Sequence, residues 1–151
     1  TFKIHGNILA GRVNSSQGWD IFFSDSGEVS RVSMDYNLFS QGSNDIRIGW
    51  GSTTVRNLAY MQSISQCLNC VSADPLFVNP GTDFRLQSGS PAKNANVEGP
   101  VGDSAYDAFF TLFGVSIKKD FAGTPRPLRN QWDTGAYESI RPSAPLNLKV
   151  D

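Results

Sequence analysis

The chain has 151 residues, 39% of them hydrophobic, with 13 basic and 14 acidic side chains and a formal net charge of −1. That length suits one domain with a buried core, and the absence of a Lys/Arg stripe excludes the electrostatic footprint of a nucleic-acid binder. No apolar run is long enough to span a bilayer, and fourteen glycines with eight prolines point to short strands and many turns.

At the N-terminal end, Phe2-Lys3-Ile4-His5-Gly6-Asn7-Ile8-Leu9-Ala10 aligns with Val32-Ser33-Met34-Asp35-Tyr36-Asn37-Leu38-Phe39-Ser40, an offset of 30 residues that sets Asn7 on Asn37. Trp19-Asp20-Ile21-Phe22-Phe23 and Asp45-Ile46-Arg47-Ile48-Gly49-Trp50 form a second pair of strand-like runs. Turn formers separate them at Asn14-Ser15-Ser16 (also a glycosylation sequon), Asp25-Ser26-Gly27 and Gln41-Gly42-Ser43-Asn44. Strand and turn repeated at such a period is the signature of a solenoid, whose units bury their apolar surface only by stacking. Stacking at about 4.8 Å predicts Ile4 over Met34 and Ile8 over Leu38 inside. It places Lys3 over Ser33 and His5 over Asp35 outside, and Asn7 over Asn37 as a side-chain amide ladder. An antiparallel sandwich also supplies short strands and turns but gives no reason for the Asn register. The expectation is an all-β parallel β-helix, with residues 1–52 as coils.

Residues 53–64 change period. Leu58, Met61 and Ile64 fall at helical spacing, so one short helix is expected there, N-capped by Thr53 or Thr54. Cys67 and Cys70 follow. Zinc needs more ligands than these two and the distant His5, and a redox dithiol lacks its βαβ context. A short-loop disulfide and two free thiols both remain open.

The closing part holds Asp74-Pro75-Leu76-Phe77-Val78-Asn79-Pro80, Asp83-Phe84-Arg85-Leu86, Gly89-Ser90-Pro91-Ala92, Asp120-Phe121-Ala122-Gly123-Thr124-Pro125-Arg126-Pro127 and Asp133-Thr134-Gly135-Ala136-Tyr137-Glu138, in that order. Proline-bounded apolar pieces cannot continue a helix, and Leu76, Phe77, Phe84 and Leu86 are expected to lie over the open apolar end. The run resembles the C-terminal closure of secreted right-handed parallel β-helix proteins of the pectin-lyase-like superfamily. It is most similar to the "choice-of-anchor Q" group and to relatives of the alginate-lyase and chondroitinase-B type. Asp35-Tyr36-Asn37-Leu38-Phe39 also resembles a strand of their last coils, so the likeness covers residues 30–138. It implies a right-handed parallel β-helix over residues 1–138, with helix and cap at 53–138, and an extracellular or cell-surface location.

The chain departs from that pattern at residues 97–119, an insert carrying Tyr106, Phe109, Phe110, Leu112 and Phe113. It is read as a sugar-stacking loop, an extra cap layer or a contact with a neighbouring chain. Residues 139–151 start as a Pro-rich linker and end in alternation, resembling the entry into a fibronectin-III-like module or forming a tail on the cap. Thr1 is not a natural start, so upstream coils of the same chain are expected.

For chemistry, the resemblance implies lyase-type basic residues near a uronate, often with calcium. Lys3, His5, Arg31, Arg47 and Arg56 are the candidates, and the stacked carboxylate of Asp35 would orient the His5 imidazole. Tyr106, Phe109 and Arg47 are candidates for substrate binding, and Asp20 with Asp45 for a stacked carboxylate pair. Calcium at Asp25-Ser26-Gly27-Glu28 is conceivable but short of ligands, so no cofactor or metal site is expected. Arg85 and Arg126 are assigned to holding the closing motif through carbonyls or Asp74, Asp120 and Asp133. The function expected is a structural or carbohydrate-interacting segment without a complete active site. Its alternatives are part of a polysaccharide lyase or hydrolase with catalytic coils upstream, and a self-assembling surface protein.

Overall fold

A computed structural model describes residues 2–11, 18–42, 45–95, 102–127 and 132–139, without the side chains of 102–106. The Asn14 sequon and the tail from residue 140 lie outside the described residues. The architecture is mostly β. In chain order the elements are β1 (Phe2–His5), β2 (Ile8–Ala10), β3 (Ile21–Phe23), α1 (Ser26–Val29), β4 (Val32–Asp35), β5 (Leu38–Ser40), β6 (Ile48–Trp50), β7 (Val55–Arg56) and α2 (Leu58–Ser63). They continue with β8 (Val71–Ser72), β9 (Phe77–Asn79), β10 (Asp83–Leu86) and α3 (Gly102–Phe113). The expectation of one short helix is corrected to three helices among the described residues, α3 lying in the insert.

The strands form small sheets ordered β1-β4, β2-β5-β8, β3-β6-β7 and β10-β9. The 30-residue repeat sets the register of β1 on β4 and of β2 on β5. β1 runs parallel to β4 with Lys3 opposite Ser33, Ile4 opposite Met34 and His5 opposite Asp35. β2 runs parallel to β5 with Ile8 opposite Leu38, and β3 parallel to β6 with Ile21 opposite Ile48. A third layer continues the stack, because the Cys67 N–H donates to the Met34 carbonyl and β8 pairs parallel with β5. The β6–β7 and β9–β10 pairs are antiparallel.

The Asn ladder is formed. Asn37 Oδ1 accepts the Asn7 backbone N–H and side-chain amide, both at 3.0 Å, and Asn37 Nδ2 donates to the Ile4 carbonyl at 2.7 Å. It ends at the third layer, where Cys70 stands below Asn37 and its sulfur takes the Asn37 N–H at 3.4 Å.

Strand phase differs from expectation. Gly6 and its counterpart Tyr36 are both left-handed, at φ 68° and 56°, so the chain turns there and alternation restarts. Before the turn Ile4 and Met34 pack in the main cluster; after it Leu9 and Phe39 do, while Leu38 is buried as expected, outside that cluster. Ile8 instead lies where a Cβ on Gly135 would come within 2.9 Å of its Cδ1, on the side covered by residues 134–137.

The free end of this core is also closed differently. Met61 of α2 and the Cys67–Cys70 disulfide are buried with Met34, Phe39 and Ile48. Phe77 and Phe84 pack edge to face at 5.2 Å in the β9–β10 hairpin, outside that cluster. α2 is capped by Asn57, whose Oδ1 accepts the Tyr60 N–H at 2.9 Å. Thr53 and Thr54 precede β7 instead, and Ile64 is exposed beyond the helix. Residues 55–56 pair antiparallel with β6 as β7, so the helix starts downstream of them.

Candidate functional site

The outer face of β1 and β4 carries the expected His5–Asp35 position, but the two side chains do not form a dyad. His5 Nε2 shares a hydrogen bond with Ser33 Oγ at 3.0 Å. The Asp35 carboxylate instead accepts the Tyr36 N–H at 2.9 Å, the Asn69 N–H at 2.7 Å and the Asn69 amide at 2.8 Å. Three donors from the β4–β5 turn and the third layer hold it there, so Asp35 serves the fold. Lys3 and Arg31 are exposed. The backbone of Arg31 links α1 to β1, its N–H donating to the Glu28 carbonyl and its carbonyl accepting from Phe2.

Arg47 is likewise a joint. Its guanidinium lies 5.4 Å from the Trp19 ring centroid and its Nε donates to the Gly18 carbonyl. Its backbone N–H donates to Asp20 Oδ2 at 2.7 Å. The parallel register therefore sets Asp20 against Arg47, and the expected Asp20–Asp45 stack is replaced by this pairing. Arg56 lies over the Tyr60 ring at 4.2 Å. Asp25 is the N-cap of α1, its carboxylate accepting the Gly27 N–H, which is local turn chemistry. Among the described residues no group of three His, Cys, Asp or Glu side chains could hold a metal. Phe109 is half-buried and stacks on Phe113 at 4.6 Å between ring centroids; the side chain of Tyr106 lies outside the described residues.

The closing motifs form one polar clasp. Asp120 Oδ1 accepts the N–H groups of Ala122 and Thr124, and Oδ2 that of Glu138. Burial alone would raise the Asp120 pKa, but these backbone N–H bonds outweigh it and hold the carboxyl below its usual range. Asp133 accepts from Asn94 and Ser139. Arg126 pairs with Glu138 Oε1 at 2.7 Å, donates to the Asp133 carbonyl at 2.9 Å and lies over Trp132. Burial dominates at Glu138 and raises its pKa despite that guanidinium. Arg85, assigned to the same task, instead pairs with Asp83 in its own strand and lowers the Asp83 pKa to about 2, chiefly through the side-chain hydrogen bond.

Gly135 seats the clasp on the repeat. Its N–H donates to the Gly6 carbonyl at 2.8 Å, and its φ of 97° favours glycine there, with Ile8 Cδ1 close to where a Cβ would stand. The Gly6 turn, the β9–β10 hairpin and residues 134–137 then enclose a groove of about 590 Å³. Phe77, Phe84 and Tyr137 give it aromatic surface; His5, Asn7 and Arg126 give it polar surface.

Comparison with protein-family models, curated proteins and solved structures finds no match to this chain. Function is therefore read from the side chains and distances above. Of the residues that line the groove, His5 alone was singled out from sequence as a site residue. Phe84 and Tyr137 stand in motifs that read as closure, and contacts far apart in sequence, such as that of Gly135 with Gly6, bring them to one place.

Proposed function

We propose that the chain is the closing part of a right-handed parallel β-helix, of the pectin-lyase-like kind its motifs resemble, with a structural and carbohydrate-interacting role rather than a catalytic one. The observation that carries this reading is the in-register ladder of Asn7 and Asn37 ending on a buried Cys67–Cys70 disulfide. Such a stack is a rigid scaffold sealed on one side. The imidazole that a lyase would use is bonded to Ser33, and its neighbouring carboxylate is occupied by Asn69, which favours the non-catalytic role. A buried disulfide suits an extracellular or cell-surface setting. Among the described residues no helix is long and apolar enough to cross a membrane, and no strand pairs with the outer edges of β1, β2 and β3. Those edges would accept a further coil in the same register.

Affinity electrophoresis through alginate, pectin and neutral glucan gels, with product analysis after incubation, tests the reading. Retardation in at least one gel without depolymerisation is expected. Cleavage that disappears in His5→Ala and Arg31→Ala would overturn it in favour of a lyase, and unretarded migration in all gels would remove the carbohydrate role.

A further inference from the structure

Resting on that carbohydrate reading, we propose that the groove between the Gly6 turn, the β9–β10 hairpin and residues 134–137 is the saccharide site, and that it takes one or two neutral sugar residues. A pyranose presents an apolar C–H face and a rim of hydroxyls, so its site needs an aromatic surface beside amide or hydroxyl groups. Phe84 is 48% exposed although it packs on Phe77, and Tyr137 is held by an edge contact with Phe121 at 5.7 Å. Both rings line the groove together with His5 and the exposed Asn7. The Asn7 Nδ2 is bonded to the His5 carbonyl and Asn37 Oδ1, and its Oδ1 is the amide acceptor a sugar hydroxyl would meet. Thr134 is buried with its hydroxyl on the Tyr36 carbonyl. A volume of about 590 Å³ lies in the range of small-molecule pockets.

Charge selects the class of sugar. The lining contains no carboxylate, and its permanent cation is Arg126. That guanidinium is already paired with Glu138 and bonded to the Asp133 carbonyl. A uronate entering here would be desolvated without an unspent counter-charge, which is costly. A neutral sugar meets no such penalty. Lys3 and Arg31 are exposed cations but do not line this groove.

Amide NMR titration of the full chain with cellobiose, mannobiose and digalacturonic acid separates the outcomes. Saturable shifts at Gly6, Asn7, Gly135 and Tyr137 with a neutral disaccharide are expected, weakened at least tenfold in both Phe84→Ala and Tyr137→Ala. The amides of Met34 and Phe39 report that each variant keeps its core. Stronger binding of digalacturonic acid at this groove would overturn the neutral assignment. Shifts confined to Lys3, Arg31 or the Trp19–Arg47 patch, or no shifts while the gels still retard the protein, would overturn the groove and leave the carbohydrate role standing.

Discussion

Asn37 is 1% exposed and its side chain adds three hydrogen bonds to the backbone pairing that joins the first two units. Replacing it by alanine strands the Ile4 carbonyl and the Asn7 N–H, each costing about 1–3 kcal/mol when left unsatisfied. Asn37→Ala is therefore expected to lose about 3 kcal/mol in urea unfolding, and Asn7→Ala, at the exposed end of the ladder, about 1 kcal/mol. Asp120 gives a pH-dependent counterpart. Its folded pKa lies below the unfolded value, so its contribution is full above the unfolded pKa and is lost as pH falls through the folded one. Glu138 acts in the opposite sense: its raised folded pKa means that protonation on acidification relieves a burial cost. Asp120→Asn loses the charge that attracts three backbone N–H groups. It is expected to be about 2–3 kcal/mol less stable at neutral pH, with a shallower decline of melting temperature below about pH 4. An unchanged acid limb in that variant would assign the decline to other carboxylates.

Among the elements, the turn at Gly6 and Tyr36 decides which face of β2 and β5 looks inward. Gly6 adopts its φ of 68° without the Cβ clash that costs other residues about 1–2 kcal/mol in this region. Gly6→Ala should lower stability by that amount in denaturant titrations, and loosen the Gly135 contact measured by amide exchange at Gly135. The turn also explains what the sequence could and could not disclose. The pairing of β1 with β4 and β2 with β5 was legible, because identical spacing and the repeated Asn fix register within each copy. The burial of Leu38 was legible too, but not that Leu9 and Phe39 would meet the cluster around Met34, since simple alternation carried through a left-handed residue shifts by one position. The third layer was hidden because its offset from Asn37 to Cys70 is 33 rather than 30 and a cysteine replaces the asparagine. α3 could have been found: Tyr106, Phe109, Phe110 and Phe113 recur at helical spacing inside what reads as an aromatic insert.

At the scale of the whole molecule, short parallel strands stacked at offsets of 27 to 33 residues supply one buried cluster, and α2 with the disulfide covers its end. The Asp74–Leu86 hairpin and the Asp120–Glu138 clasp then lie against the Gly6 turn and shape the groove. Those closing motifs were recognisable as an ordered series, but not the place where they land, because Gly135 meets Gly6 across 129 residues of chain. No local pattern encodes a contact that distant. The parallel stack underlies both the core and the groove, and methyl-resolved NOE spectroscopy on the full chain tests it most directly. Contacts of Ile4 with Met34 and of Ile8 with Leu38 are predicted, together with Leu9 against Phe39. Cross-strand contacts joining residues 2–5 to 8–10 as an antiparallel hairpin, with no NOE between the two copies of the repeat, would contradict it.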